Sequence, residues 1–201
     1  MIPMPHRQTM RLLGRTRRSD PICYGGTMRA LILAASLLAP SPVAAQLSSA
    51  LSADVSVCFT PPSGCGAIVV GLIDQAKATI QVQAYFFTAA PIVHALAEAH
   101  RCGVDVRVIL DKVNDRDGYS GASYLAHAGV PVWIDRTPAI AHNKVMVLDG
   151  DTVIGGSFNF TKTADTRNAE NVTVIRSASV AAKFAANWES RRAASMAYHA
   201  E

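Results

Sequence analysis

After residue 54 the apolar positions change period several times, and each change predicts an element. Val55, Val57 and Phe59 alternate with other residues, which predicts a first strand at a sheet edge. Ile68, Leu72, Ile73 and Ala76 then recur at helical spacing, which predicts a helix over 67–77. From Thr79 to Phe87 the period returns to two. Ile80, Val82, Ala84 and Phe86 fall on one face of that strand, and Gln81, Gln83 and Tyr85 on the other. Ile92, Leu96 and Ala99 give the inner face of a helix over 91–101, with Thr88 as its cap, Pro91 in its first turn and Gly103 as its stop. A strand follows at 104–110, a polar loop at 111–120, a short helix at 122–128 and a strand at 130–134. Two apolar runs, 145–148 and 152–154, flank Asp149-Gly150 and predict a hairpin. A strand at 171–175 and a helix at 179–194 complete the order, the helix carrying Val180, Ala181, Phe184, Ala185 and Trp188 along one stripe. Strands and helices in this order predict an α/β fold, a mixed β-sheet flanked by helices on both faces.

The N-terminus has another character. Residues 1–27 carry Arg7, Arg11, Arg15, Arg17 and Arg18 without apolar periodicity. Met28-Arg29, the apolar stretch 30–39 and Val43-Ala44-Ala45 follow, the pattern of a secretory signal cleaved after Ala45. The apolar run is about ten residues, short of the roughly 20 that a membrane span needs. Both Met1 and Met28 stand as starts, and Arg17-Arg18 is a weak twin-arginine signal. The expected division is 1–45 as an N-terminal extension plus signal peptide and 46–201 as a single domain, opening on a flexible lead-in, in the periplasm or outside the cell.

That division changes the charge argument. The 201 residues hold 19 Lys and Arg against 15 Asp and Glu, a net of +4, but six of the basic residues and one acidic residue precede Gln46. The remainder holds 13 basic and 14 acidic residues and is close to neutral. Net charge therefore gives no case for nucleic-acid binding, and a polyanion would need a local basic patch. Lys112, Arg116, Arg136, Lys162 and Arg167 are the candidates, each an ordinary solvated charge by default. Of the four cysteines, Cys58 and Cys65 bracket a turn-rich loop and suit a disulfide in an exported protein, two free thiols being the alternative. Cys23 lies in the leader, and Cys102 is expected unpaired and buried at a helix end. No cysteine spacing suits a zinc site.

The chemistry gathers at 141–161. His142 and Lys144 are two apart at the start of a strand and so point the same way. Gly155-Gly156 permits close backbone approach, and Ser157 and Asn159 are again two apart. A hairpin brings these side chains to one end. A nitrogen nucleophile, a fixed cation and neutral donors suit a phosphate ester. His94, His100, His127 and His199 read as surface or packing residues, and Tyr85, Phe158 and Trp133 as core rather than base-stacking platforms.

His142-x-Lys144, four residues, Asp149, six residues, Gly156-Ser157-x-Asn159 resembles the HKD signature of the phospholipase D superfamily at every spaced position. Residues 55–192 are also similar to its small single-motif bacterial endonucleases, the Nuc type, through 83–88, 103–106, 156–162 and 168–171. The resemblance implies the phospholipase D/nuclease fold and a catalytic domain of that kind. It implies a covalent phosphohistidine at His142, with a second His protonating the leaving oxygen. With one motif per chain, the second His implies a homodimer with one site shared across its two-fold axis. Lys144 and Asn159 would hold the phosphoryl group, with Ser157 beside them, and Glu170 would hold the ring proton of a His142. Asp149 would either touch substrate or serve the turn. No metal and no cofactor are implied. The leading expectation is a metal-independent phosphodiesterase acting on DNA, and on RNA, without sequence preference. The alternative is a phospholipase D converting phosphatidylcholine to phosphatidate, against which stand the short chain and the lack of an evident interfacial apolar loop. The third is an exported, non-catalytic nucleic-acid-binding protein.

Overall fold

A computed structural model describes residues 53–62, 64–115 and 120–200. The expected leader, its cleavage site, Cys23, most of the lead-in and Arg116 lie outside the described residues. The elements in chain order are β1 Asp54–Thr60, α1 Cys65–Gln75, β2 Thr79–Ala84, α2 Ala90–Arg101, β3 Asp105–Asp111, a 3-10 turn Lys112–Asn114 and α3 Gly121–His127. They continue with β4 Val132–Asp135, β5 Lys144–Leu148, β6 Thr152–Gly156, α4 Lys162–Thr166, β7 Glu170–Arg176, α5 Ala178–Ala193 and β8 Met196–Ala197.

The strands form one mixed sheet in the order β1-β7-β6-β5-β2-β3-β4-β8. β2, β3 and β4 are parallel neighbours, and the other pairs are antiparallel. Ile80, Val82, Val106, Val108, Met146, Ile154, Val172 and Val174 pack with α1, α2 and α3 in the larger core. On the opposite face Val147 and Val153 pack against Ala181 of α5. Trp188 of α5 is 1% exposed, and its Nε1–H donates to Val82 O at 2.9 Å, which satisfies the indole as its ring enters the core. The mixed sheet with helices on both faces is therefore as the sequence pattern predicts.

Four local expectations are corrected. α1 begins at Cys65, two residues early, and buries Cys65, Val69 and Ile73 while Ile68 is exposed. The Cys58–Cys65 disulfide fixes that face, because Cys65 must turn inward to reach Cys58 on β1. β2 ends at Ala84, so the alternation stops there. Phe86 is 40% exposed, and Phe87 is buried and bridges Phe160. Thr88 does not cap α2: Ala89 takes that position, and the N–H groups of Thr88 and Ala89 donate to Phe160 O at 2.9 and 2.8 Å. Cys102 is exposed and disulfide-bonded rather than a free buried thiol. The short elements α4 and β8 have no signal in the apolar pattern, since each is too brief to show a period.

Candidate active site

Antiparallel pairing decides where the motif residues meet. β5 starts at Lys144, β6 ends at Gly156 and β7 starts at Glu170, and these strands are adjacent. His142 and Lys144, Ser157 and Asn159, and Glu170 therefore come to one end of the sheet. Tyr85, just beyond β2, joins them, its N–H donating to Asn143 O at 2.9 Å.

Gly156 makes the approach of β6 to β7 possible. Its φ is +134°, and a Cβ there would lie 2.3 Å from Asn171 O and 2.6 Å from Asn171 Oδ1. The next residue is locked in place: Ser157 N–H donates to Asn171 Oδ1 at 2.8 Å, and Asn171 N–H donates back to Ser157 Oγ at 3.1 Å. The Ser157 hydroxyl donates to Glu170 Oε2 at 2.6 Å, and Asn168 Nδ2 donates to Glu170 Oε1 at 2.9 Å. Within the single chain Glu170 is thus held by Ser157 and Asn168, and no hydrogen bond joins it to His142. Ser157 spends its proton on Glu170, which places it as a support of that carboxylate rather than as a free donor to phosphate.

Lys144 is 8% exposed. Its Nζ donates to His142 O at 2.9 Å and lies 5.1 Å from the centre of the Tyr85 ring. Burial pushes the Lys144 ammonium below its ordinary value of 10.5, and the Glu170 charge opposes that shift. The sign for activity follows. If the protonated form neutralises phosphoryl charge, as the motif implies, the alkaline limb of kcat/KM is expected below pH 10.5. Glu170→Gln removes the opposing charge and should move that limb to lower pH. A limb unmoved in this variant would show that Lys144 does not govern it.

His142 is exposed, and its ring lies against Tyr85 with centroids 4.8 Å apart. Asn159 carries a buried Oδ1 with no hydrogen-bond partner, so its amide is not committed to the fold. Phe158 is core as expected, whereas Tyr85 is only half-buried and belongs to the site. Trp133 packs edge-on to Trp188.

Of the two roles open to Asp149, the structure gives the structural one. It sits at the opposite end of β5 at φ 50°. Its carboxylate accepts from Lys77 N, Ala78 N and Thr79 N at 2.8, 2.7 and 3.0 Å. Burial pushes this carboxyl up, but the bonds from Thr79, Ala78 and Lys77 and the Lys77 charge outweigh it, leaving it below its ordinary 3.8. The stabilisation is thus complete above about pH 4 and is lost as the pH falls through the lower folded value. Asp149→Asn should cost about 1 kcal/mol at pH 7, with the gap to wild type closing below about pH 4. Urea midpoints across pH check this, and a gap constant with pH would refute it.

The remaining candidates separate by their partners. Arg136 is paired with Asp115, and Lys112 reaches Pro138 O at 3.5 Å. Lys162 and Arg167 are exposed, with no ion pair among the described residues, Lys162 opening α4 and Arg167 following it, between Asn159 and Glu170 in the chain. His94 stacks on Tyr124, and His127 and His199 are exposed, all apart from the His142 ring. Ile140, 53% exposed and two residues before His142, and Phe86, exposed with its ring centre 4.2 Å from that of Tyr85, are apolar surface that the sequence pattern concealed by assigning Phe86 to the inner face. Among the described residues no group of three His, Cys, Asp or Glu side chains is placed to hold a metal ion.

Comparison with known proteins agrees with this geometry. Residues 69–192 match a family model described as cardiolipin synthase, PLD-like domain. The chain is 45% identical over 147 residues to a phospholipase D of Rickettsia felis, covering 73% of this chain and 74% of that protein. It is 34% identical to a mitochondrial cardiolipin hydrolase of Chlamydomonas reinhardtii over 56% of this chain and 50% of that one. Among solved structures, Nuc of Salmonella typhimurium, a phospholipase D family member, superposes with a TM-score of 0.69 at 36% identity, covering 74% of this chain and all of Nuc. The family match spans the segments that carry His142, Lys144, Asn159 and Glu170, and the chain belongs to the phospholipase D superfamily and is a phosphodiester hydrolase.

Proposed function

We propose that the protein is a nuclease that cleaves nucleic-acid phosphodiesters through a covalent phosphohistidine at His142. The observation that carries this reading is the convergence of exposed His142, buried cationic Lys144 and uncommitted Asn159 at one end of the sheet. An Nε2 or Nδ1 lone pair of neutral His142 attacks phosphorus as the bond to the leaving oxygen breaks. A protonated imidazole gives that oxygen its proton, and water then attacks the phosphohistidine, losing its own proton to the second imidazole. Lys144 and Asn159 stabilise the charge on the non-bridging oxygens.

The route needs two imidazoles, and no second one contacts His142 among the described residues. The second is the partner copy's His142 in a homodimer, with the site on the two-fold axis. Lys162 and Arg167, exposed and unpaired, supply the local positive surface that a near-neutral chain needs to hold a polyanion. The Cys58–Cys65 disulfide supports placement in an oxidising compartment, in accord with the signal-like segment that ends at Ala45.

A second reading, cleavage of phospholipid head groups, is favoured by the exposed apolar surface of Phe86 and Ile140 and by the phospholipase D name of the Rickettsia felis relative. One experiment separates the two. The protein and its His142→Ala variant are incubated in excess EDTA with plasmid and with phosphatidylcholine or cardiolipin vesicles. Every group the route requires is a side chain, so cleavage in EDTA is expected. Loss of plasmid with wild type only supports the nuclease. Release of head group with intact plasmid overturns it in favour of the lipid reading.

A further inference from the structure

The imidazole of His142 has no hydrogen bond from either ring nitrogen among the described residues, and the residue is exposed. A nucleophile so placed must be aimed by other means, because an exposed side chain samples several rotamers. The backbone around it is pinned on both sides. Ala141 N–H donates to Asp111 Oδ2 at 2.6 Å, and the other oxygen of that buried carboxylate accepts from Val113 N at 2.8 Å. His142 O accepts from Lys144 Nζ, and Asn143 O accepts from Tyr85 N–H. Tyr85 is fixed in turn, since Asn114 Nδ2 donates to Tyr85 O at 2.5 Å and to Asp111 O at 3.1 Å. What remains free is the rotation of the imidazole, and the contact that limits it is the Tyr85 ring, 4.8 Å away. The same ring lies 5.1 Å from Lys144 Nζ, so one aromatic ring neighbours both the nucleophile and the cation. Its hydroxyl has no hydrogen bond among the described residues.

We infer that Tyr85 is a positioning residue of the phosphodiesterase site: its ring face aims the His142 imidazole and steadies Lys144, on a frame held by Asp111 and Asn114. The inference rests on His142 being the nucleophile. It assigns the work to the aromatic face and none to the hydroxyl.

The test uses the whole protein and bis(p-nitrophenyl) phosphate, an activated diester that serves whether the natural substrate is nucleic acid or lipid. Tyr85→Leu should lower kcat about 30-fold and leave KM within about threefold, because aim is lost and binding is not. Tyr85→Phe should keep at least about half of wild-type kcat. The groups facing Lys144 are Glu170 from β7, His142 from its own segment and the Tyr85 ring. Removing the ring's attraction for the ammonium should therefore move the alkaline limb of kcat/KM to lower pH in the Leu variant, but not in the Phe variant. Should Tyr85→Leu fail to fold, Tyr85→Met fills similar space without an aromatic face, and the same pattern is expected. Wild-type kcat and an unmoved limb in the Leu or Met variant overturn the inference. A Phe variant as impaired as Leu also overturns it, since the hydroxyl would then be the active part. If His142→Ala cleaves this diester as fast as wild type, the phosphohistidine reading fails, a result distinct from either of these.

Discussion

His142→Ala should lower turnover by about 10⁴-fold or more on any diester the protein cleaves, while leaving its stability within about 0.5 kcal/mol of wild type. The two halves of this expectation have separate causes. The ring is exposed and makes no hydrogen bond among the described residues, so little folding energy depends on it. The proposed reaction has no alternative nucleophile, because Lys144 is tied to His142 O and the Ser157 proton is given to Glu170. Kinetics beside a urea unfolding curve measure both. A shared site makes a sharper demand. In a hybrid dimer, purified through two different tags, one His142 cannot both attack and protonate the leaving group. The hybrid should be as inert as the doubly substituted dimer. A hybrid with half the wild-type activity would mean that each chain works alone, and the two-fold site would have to be abandoned.

Gly156→Ala should be the most damaging single-methyl change. Two penalties coincide at this position: φ is +134°, where a side chain is strained, and the added carbon would lie 2.3 Å from a backbone oxygen of β7. Neither is relieved without moving β6 from β7, and that movement would carry Ser157 and Asn159 with it. We expect a loss of about 3 kcal/mol or more in stability. In whatever fraction folds, kcat should fall more than about 100-fold, because an ångström of misplacement at the reacting centre suffices for that. Unfolding midpoints and active-site titration of the soluble fraction check the two effects separately. A variant within about 1 kcal/mol of wild type would show that β6 and β7 can part at little cost.

The strained glycine, the exposed histidine and the buried lysine were all visible in the sequence as residue types at a fixed spacing. Their consequences were not equally visible. A period of two predicts His142 and Lys144 on one side of a strand, but β5 begins at Lys144, with His142 exposed just before it and Lys144 buried. Turn residues at 149 and 150 predict the hairpin, because a turn is a local property of the chain. Helical stripes such as Ala181 and Trp188 on α5 are legible since burial of one face is their main source of stability. The Cys58 and Cys65 pair is legible because the six residues between them, rich in turn formers, close a short loop.

What only the tertiary structure decided concerns partners far apart in the chain. Asp149 lies in the motif, yet its carboxylate is consumed by N–H groups some 70 residues earlier. No local pattern records that, because the pairing of β5 with β2 creates it. Ser157 looks like a phosphate donor until β7 brings Glu170 to it. Phe86 looks inward by alternation, but β2 stops at Ala84, Tyr85 N–H turns to Asn143 O and the Thr88 and Ala89 N–H groups to Phe160 O, and the Phe86 ring is left on the surface. Tyr85, read as core, becomes the neighbour of His142 through the same termination. Periodicity is set by the geometry of one element and survives in the sequence. The surroundings of a catalytic group are set by which elements meet, and that is settled by register and by the ends of strands.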